Sequence, residues 1–301
     1  MQRVTHPSDV ERLRPNVVVM YGRGRSLDLI DRGQSLELMR EYGAVVFRGF
    51  GDVDGASFMR LTERFCYHFL EHASVEYRPS RNEDGTVAEV VIGNDSVALH
   101  GEMYYAPVRP DSLWFHCTSP ARKGGATTVA DSRSVLAALS DRTRRAFETK
   151  RIVYRHRRPR ADWERIAKMS DRDEVISTVN LLPDTVATAV GADDIQIEFT
   201  ADAVRPTGFD GQPGFLNSIE NMLEYADRSG TIVTFEDGET FDADMLADIA
   251  RAGQSCTQDV DWQPNDVLLV DNTRLMHGRR SFEGNERRID ARFGLLITDE
   301  E

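Results

Sequence analysis

The chain has 301 residues, 40% of them hydrophobic, which is enough to bury one large core or two small ones. Its formal net charge of −13 favours solubility and argues against general nucleic-acid binding, which needs a basic surface. No stretch approaches the roughly 18 consecutive apolar residues of a membrane span, and the N-terminal residues lack the apolar run of a signal peptide. The sequence therefore predicts neither a membrane partner nor secretion.

The three cysteines are Cys66, Cys117 and Cys256. They are far apart in sequence, odd in number and without a C-x-x-C pair, so neither a disulfide framework nor a cysteine zinc site is indicated. We expect reduced, mostly buried thiols in a cytoplasmic protein.

The first half of the chain contains one strong strand signal and one strong helix signal. Residues 43–50, "GAVVFRGF", form a β-branched run closed by glycine and predict a strand. The segment 54–72 that follows has apolar residues at helical spacing (Phe58, Leu61, Phe65), and we expect it to be one amphipathic helix.

Further along, short apolar runs alternate with turn residues and a few helical segments. Strands are predicted for "VAEVVIGN", "DSLWFHCTSP", "RIVYRHRR", "DIQIEFT", "DVLLVDNTRLMHG" and "RRIDARFGLLIT". Helices are predicted for "DSRSVLAAL", capped by Asp131 or Ser132, and for "DADMLADIARAG". There is no internal repeat, low-complexity tract or linker-like break.

This pattern favours a single domain over residues 1–301, mainly β, of jelly-roll or barrel type with flanking helices. Residues 1–42 form an N-terminal extension in this scheme. The charged, weakly periodic segment at about 159–180 lies between predicted strands, and we expect an insertion or lid there.

Positive charge is concentrated between Arg142 and Arg165, where nine arginines and Lys150 outnumber Glu148, Asp162 and Glu164. A solvated helix face with an edge strand is the simpler interpretation. The alternative is a docking surface for an anionic partner, such as an acidic carrier protein or a phosphorylated substrate.

The segment "LHGEMYY" places His100 and Glu102 two residues apart. On a strand the side-chain period is two, so both would point to one face and could chelate one ion, with Gly101 keeping the other face clear. Alone, such a pair is a weak signal, because a histidine beside a glutamate on a strand is common without a metal.

A third ligand candidate follows the apolar run near the C-terminus. His277 comes just after that run, and Arg288 follows eleven residues later. Two histidines and one carboxylate are the facial triad of non-heme Fe(II) oxygenases. An arginine across a hairpin from the distal histidine suits a dicarboxylate cosubstrate, whose far carboxylate takes a charge-assisted fork from guanidinium.

Taken together, these motifs resemble the taurine dioxygenase (TauD/TfdA-like) superfamily of Fe(II)/2-oxoglutarate-dependent dioxygenases, with a clavaminate synthase-like ligand set. The resemblance rests on the early "GAVVFRGF" strand, the H-x-E pair, the "GGAT" turn, the distal histidine and an arginine about ten residues on. It runs from about Gly43 to Ile297. Val270 stands where many relatives have tryptophan before Asp-Asn, a departure expected to affect packing only.

The resemblance implies a double-stranded β-helix and an iron site of His100, Glu102 and His277. It implies that 2-oxoglutarate chelates the metal, that Arg288 and Thr127 bind its C5 carboxylate, and that O₂ takes the remaining position. Glutamate at position 102 points to the amino-acid hydroxylases rather than the halogenases, which have glycine or alanine there. The expected reaction is hydroxylation of an unactivated C–H with succinate and CO₂ as co-products; desaturation, epoxidation and cyclisation are alternatives at the same centre.

The expected substrate is a small amino-acid-like molecule or natural-product intermediate, free or tethered to a carrier protein. Arg292 shares a strand face with Arg288 and is a candidate substrate ligand, or the partner of Asp290 in a surface salt bridge. Tyr104 and Tyr105 are candidates for the pocket wall.

Three other functions remain open on the sequence. "HFLEH" (His68 to His72) matches the H-x-x-E-H pattern of a helix-borne zinc peptidase site. A cupin-like metal enzyme would share the triad but would not use Arg288 or Thr127. A non-catalytic jelly-roll binding protein would need none of these residues.

Overall fold

The computed structural model describes residues 9–51, 53–71, 80–90, 93–224, 226, 230–284 and 286–297. Within them the chain is mainly β-strand. The strands are β1 (Val10–Arg14), β2 (Val17–Tyr21), β3 (Ala44–Arg48), β4 (Cys66–Leu70), β5 (Ala88–Glu89), β6 (Val97–His100), β7 (Ser112–Ser119), β8 (Lys123–Gly124), β9 (Thr127–Asp131), β10 (Ile152–Arg158), β11 (Thr185–Val190), β12 (Asp194–Ala201), β13 (Val204–Pro206), β14 (Pro213–Phe215), β15 (Ile232–Phe235), β16 (Gln258–Val260), β17 (Val267–Asp271), β18 (Leu275–Arg279), β19 (Phe282–Glu283) and β20 (Arg288–Leu296).

The α-helices connect and cover these strands. They are α1 (Arg32–Tyr42), α2 (Gly55–Glu63), α3 (Ser132–Ala138), α4 (Asp141–Thr149), α5 (Arg160–Ala167), α6 (Arg172–Val179), α7 (Ile219–Glu224) and α8 (Ala243–Cys256). Asp131 caps α3 and Asp242 caps α8, each accepting a hydrogen bond from a backbone N–H of the first turn. Among the described residues, no helix is long and apolar enough to cross a membrane.

Two sheets face each other across a buried core. The larger has the order β1-β2-β3-β17-β7-β20-β4, with β5 also paired to β20, and the smaller has the order β16-β9-β18-β6. Phe115 and Ile289 of the larger sheet pack in one cluster with Val129 and Leu275 of the smaller sheet. The predicted jelly roll is confirmed, and the space between its two sheets is where a site can form.

The outer face of the larger sheet packs against helices. Phe58 and Leu61 of α2 and Met39 of α1 are fully buried in a cluster with Phe47 and Trp114 of the sheet. The N-terminal residues contribute to the same sheet, since β2 pairs in parallel with β3. The described part of the segment expected to be an extension adds two strands to the core sheet and the helix α1 to its outer face.

A third sheet, of order β11-β12-β10-β15, packs with helices at one side of the jelly roll. Between β10 and β11 the chain forms α5 and α6, which we call the helical pair. The helical pair coincides with the segment at about 159–180 that the sequence predicts to be an insertion or lid. Its residues Trp163 and Val175 are anchored by packing on Ala187 and Ile195 of the third sheet.

The prediction of one helix over 54–72 is wrong beyond Glu63. Helix α2 ends there, and after a turn Cys66–Leu70 form β4, antiparallel to β20. Spacing of apolar residues alone could not reveal this, because the strand is stabilised by pairing with residues more than 200 positions away. His72 lies outside the described residues.

Most cations of the basic 142–165 stretch pair with carboxylates of the same chain. Arg155 meets Glu198 at 2.7 Å, Arg157 meets Asp194 at 2.8 Å, and Lys150 meets Asp237 at 2.6 Å. This supports the simpler interpretation of a solvated, salt-bridged face. Arg158 and Arg165 also line a cavity described below.

Candidate metal centre

His100 and His277 are placed side by side by strand register. His100 ends β6, His277 lies in the middle of β18, and the two residues are direct partners in the antiparallel pairing. Their ring centroids are 4.3 Å apart, and both side chains are buried. The register of two strands therefore brings together imidazoles that are separated by 177 positions in the sequence.

Glu102 reaches the same point from a turn, which corrects the expectation that it shares a strand with His100. Strand β6 stops at His100, and residues 102–105 turn away from the sheet. The Glu102 Oε2 atom lies 3.6 Å from His277 Nε2 and 4.0 Å from His100 Nε2. Gly101 is required beside it, because a Cβ at that position would approach the Tyr104 ring to 2.4 Å.

These three side chains fit a divalent metal. One donor atom from each lies within 4.8 Å of the others, a spacing that a single ion with bonds of about 2 Å can nearly bridge. His100 Nδ1 lies 2.8 Å from the Ala98 carbonyl oxygen, so a proton on Nδ1 leaves the Nε2 lone pair for a metal. Two imidazole nitrogens and one carboxylate oxygen form the donor set of non-heme iron sites with open positions.

Asn272 holds the turn that carries Glu102. Its side-chain oxygen accepts from the Glu102 N–H at 2.9 Å, and its side-chain nitrogen donates to the Glu102 carbonyl at 3.1 Å and to the Pro110 carbonyl at 2.7 Å. Asn272 is fully buried. Because this clamp satisfies both backbone groups of the carboxylate residue, it fixes where the third donor lies.

A pocket on one side of the two histidines is lined by groups suited to a dicarboxylate. It includes Thr127, Arg279 and Arg287 as well as His100 and His277. Thr127 is 4% exposed, and its hydroxyl oxygen accepts a hydrogen bond from Trp262 Nε1 at 3.0 Å. The pocket thus places two guanidinium groups and a hydroxyl beside the three donors.

The arginine of this pocket is Arg287, not the predicted Arg288. Arg288 is exposed, whereas Arg287 is buried, and its Nε donates to the Gly125 carbonyl at 3.0 Å. Alternation explains the difference: Arg287 precedes Ile289 and Ala291 at a period of two, and these two side chains belong to the core between the sheets. Burial lowers the Arg287 pKa to about 10, with the charge of Arg279 as a second cause, so this guanidinium remains charged at neutral pH.

Two features near Arg287 explain why the "GGAT" turn contains paired glycines. Gly124 and Gly125 have φ values of +76° and +72°, which favour glycine. A Cβ on Gly125 would also approach Arg287 Cδ to 3.0 Å. The turn therefore makes room for the buried arginine while leading into Thr127.

Arg279 is a site residue that the sequence analysis missed. It is 7% exposed, donates to the Asp95 carbonyl through Nη2 at 2.7 Å, and pairs with Thr127 across β18 and β9. The sequence does carry a signal for Arg279. It lies two residues after His277, and side chains at that spacing on a strand share one face.

Arg292 does not point toward the metal centre. It lies on the outer face of β20, where its Nη1 donates to the Thr62 hydroxyl at 2.7 Å and its guanidinium lies 3.5 Å from the Phe69 ring centroid. The prediction of a substrate role is contradicted by this packing on α2. The alternative of a salt bridge with Asp290 is also wrong, since the carboxylate partner is Glu63 at 3.3 Å.

The two tyrosines after Glu102 have different surroundings. Tyr104 is buried, and its hydroxyl donates to the Asn272 carbonyl at 2.9 Å, so it supports the Glu102 turn. Burial raises its pKa to about 12. Tyr105 lines a second, larger cavity of about 520 Å³ together with Met103 and Phe69. Of the two, Tyr105 is therefore the pocket-wall residue.

His68 lies on strand β4 and is exposed. A strand places residues four apart on one face but far from each other, so the helical geometry required by the H-x-x-E-H zinc pattern is absent at His68. Within the described part of the chain, the cluster that could hold a metal is that of His100, Glu102 and His277.

Comparison with known proteins agrees with this site. Residues 13–292, which include all the residues of the metal centre and its pocket, match the family model "Taurine catabolism dioxygenase TauD, TfdA family". A clavaminate synthase-like protein of Arabidopsis thaliana is 24% identical over 282 residues, covering 83% of this chain and 81% of that protein. The dapdiamide synthesis protein DdaC of Enterobacter agglomerans is 21% identical over 267 residues, covering 82% of this chain and 81% of DdaC.

Among solved structures, PvcB of Pseudomonas aeruginosa is similar in fold, with a TM-score of 0.61 and 17% identity over 95% of this chain and 89% of that one. A second PvcB structure is described as an Fe, alpha-ketoglutarate dependent oxygenase from an isonitrile synthetic pathway. The family match spans nearly the whole chain, and the two-histidine, one-carboxylate cluster lies inside it. The chain belongs to the TauD/TfdA dioxygenase family and is a non-heme Fe(II)- and 2-oxoglutarate-dependent dioxygenase.

Proposed function

We propose that this enzyme hydroxylates an unactivated C–H bond of a small amino-acid-like molecule or natural-product intermediate, with succinate and CO₂ as co-products. The observation that carries the proposal is the position of the buried His100–Glu102–His277 cluster. An arginine-lined pocket adjoins the histidines, and a larger, mostly apolar cavity is lined by Met103, which directly follows Glu102. The first suits a dicarboxylate cosubstrate and the second an organic substrate.

His100, Glu102 and His277 hold Fe(II) in this proposal, one donor atom from each. Three protein ligands leave coordination positions for the cosubstrate and O₂. When bound, iron with 2-oxoglutarate and O₂ supplies the oxidising power that breaks the substrate C–H bond. Retention of a carboxylate at position 102 supports hydroxylation over halogenation, as the family resemblance implies.

Arg287 and Thr127 bind the C5 carboxylate of 2-oxoglutarate, and Arg279 adds a second positive charge to the same pocket. Both arginines are buried, at 9% and 7% exposure, so their hydrogen bonds to a carboxylate form away from bulk water. The Arg287 Nε is already held by Gly125, which leaves its terminal nitrogens for a ligand. This preorganisation lowers the entropic cost of binding the cosubstrate.

The names of two relatives support a role in natural-product synthesis. DdaC is described as a dapdiamide synthesis protein, and PvcB as an oxygenase of an isonitrile pathway. At 21% and 16% identity they do not define a substrate for this chain. They do make a small molecule a better candidate than a macromolecule.

The test is aerobic turnover of the enzyme loaded with Fe(II) and 2-oxoglutarate against the free proteinogenic amino acids. We expect at least one of them to stimulate succinate release and to gain one oxygen atom, derived from isotopically labelled O₂. A product that has instead lost two hydrogens would replace hydroxylation by desaturation. Failure to form succinate from 2-oxoglutarate, with or without an added amino acid, would contradict the proposal.

A further inference from the structure

The cavity of about 520 Å³ lies between the helical pair and the mouth of the jelly roll. Phe69, Met103 and Tyr105 line it from the jelly-roll side, and Trp163 and Val175 line it from the helical pair. Met103 and Tyr105 belong to the turn that carries Glu102. The cavity therefore adjoins the turn that carries Glu102, and it is large enough for a small organic molecule.

Its wall is mostly apolar, and two of its side chains leave much of their surface uncovered. Ile166 is 44% exposed and Val108 is 45% exposed, although both line the cavity. Covering this aliphatic surface with an apolar ligand removes it from water and therefore favours binding. The cavity is suited to a ligand with an apolar body.

Cations predominate in the lining of the cavity, although the chain as a whole is negatively charged. Three cations, Arg158, Arg165 and Lys168, face the cavity against one carboxylate, Glu71, in a protein whose formal net charge is −13. Lys168 pairs with Glu71 at 2.8 Å, so these two charges offset each other. Cations therefore outnumber carboxylates in the lining.

Arg158 is the cation whose position points to a ligand. It shares the inward face of β10 with Tyr154 and His156 and is half-buried. Its neighbour on the opposite face, Arg157, pairs with Asp194, and Arg155 pairs with Glu198. For Arg158, no ion pair with a carboxylate is found among the described residues. A guanidinium that lines an apolar cavity without a carboxylate is suited to an anionic ligand.

His156, next to Arg158 in the wall, is uncharged. Burial lowers its pKa to about 3, with the charge of Arg158 as a further cause. Its ring is held by the Thr231 hydroxyl at 2.9 Å and stacks edge-on with Tyr105 at 5.4 Å between centroids. This part of the wall therefore presents one positive charge, that of Arg158, surrounded by neutral groups.

We propose that the substrate is a small amphiphilic carboxylic acid whose carboxylate pairs with Arg158 while its apolar body lies between Ile166 of the helical pair and Tyr105. The inference rests on the proposed function, because it assigns the larger cavity to the organic substrate. It goes further by naming the substrate class and the residue that selects it. Discrimination against a neutral isostere arises because the guanidinium would otherwise be covered without a partner.

The experiment is calorimetric titration, under nitrogen, of the enzyme saturated with Fe(II) and 2-oxoglutarate. The probes are 3-phenylpropanoate and octanoate, each compared with its own primary amide. We expect each acid to bind at least about tenfold more tightly than its amide, the ratio expected of a hydrogen-bonded charge pair. In Arg158→Met the acid and the amide should bind equally well.

Arg157→Met is the matched control, because Arg157 is the adjacent arginine of the same strand on its exposed face. It should retain the wild-type preference for the acids. A missing preference in the wild type, failure of both acids to bind, or a preference that survives Arg158→Met would each overturn the inference. The visible absorption band of the Fe(II)–2-oxoglutarate complex is recorded in the same samples: its absence in the wild type would refute the proposed function, and its presence confines any failure to the substrate assignment.

Discussion

The two cavities near the metal centre are built in different ways. The cosubstrate pocket is made by paired strands: His277, Arg279 and Thr127 belong to β18 and β9, and their relative positions follow from the register. The larger cavity, in which we propose that the substrate binds, is made where the helical pair meets the Glu102 turn and the third sheet. Its shape depends on elements that belong to different layers of the fold. The comparison indicates that strand register sets the positions of His100, His277, Arg279 and Thr127, whereas the larger cavity depends on the elements packed against the sheets.

The largest effect is expected from His277→Ala, which removes one of the three donor side chains, one that lies on a strand. Fe(II) affinity should fall by more than about a hundredfold, because even groups that only support a ligand typically change affinity tenfold to a hundredfold. Metal analysis after anaerobic gel filtration measures this. Retention of stoichiometric iron would show that His277 is not a ligand.

Next comes Arg287→Met, compared with Arg288→Met. We expect the Arg287 variant to bind 2-oxoglutarate about tenfold to a hundredfold more weakly, since it loses a charge-assisted hydrogen bond in a buried pocket. Arg288 is exposed, so its variant should bind like the wild type. Titration of the anaerobic Fe(II) enzyme with 2-oxoglutarate measures both affinities, and a loss confined to Arg288→Met would reverse our assignment.

A smaller effect is expected from Asn272→Ala, which removes the clamp on the Glu102 turn. Both backbone groups of Glu102 lose their partner, so Fe(II) affinity should fall by about tenfold. A purely structural role would lower the unfolding temperature alone. Iron titration and thermal unfolding are therefore measured on the same variant, and unchanged iron affinity would remove the positioning role.

On the substrate side, the predicted effect is on stability and depends on pH. His156 has a folded-state pKa of about 3, so between that value and the unfolded pKa of about 6.5 the unfolded chain binds more protons than the native one. Stability is therefore lost as pH falls through this window. From pH 7 to pH 5 the cost due to His156 is about 2 kcal/mol. Denaturant unfolding at the two pH values measures this loss. In His156→Gln the free energy of unfolding should fall by about 2 kcal/mol less between pH 7 and pH 5 than in the wild type. An equal fall in both proteins would refute the role of His156.

Much of the metal centre could be predicted from the sequence, because its pattern is local or follows strand periodicity. The structure brings His100, Glu102 and His277 together and places Thr127 in the adjoining pocket, with Glu102 on a turn rather than on the predicted strand. The prediction of Arg288 is off by one position, because a spacing of about ten residues from His277 fits both Arg287 and Arg288. The alternation of Ile289 and Ala291 distinguishes the two arginines. Only one of two adjacent residues can share the inward face of these side chains, and that residue is Arg287.

The parts that could not be predicted depend on contacts between distant segments. Strand β4 looked like a continuation of α2, and only its pairing with β20 makes it a strand. Strand periodicity alone predicts that Arg292 faces the site, but α2 and Phe69 cover its face of β20. The larger cavity is the extreme case, since its walls come from several elements and no single stretch of sequence describes it.

The central claim is that His100, Glu102 and His277 hold Fe(II) with 2-oxoglutarate bound beside them. The most direct test is the visible metal-to-ligand charge-transfer band of the anaerobic protein. We predict that the band appears in the wild type only when both Fe(II) and 2-oxoglutarate are present, and that it is lost in His277→Ala. A wild-type protein that shows no band with both present, or a band that survives His277→Ala, would contradict this account.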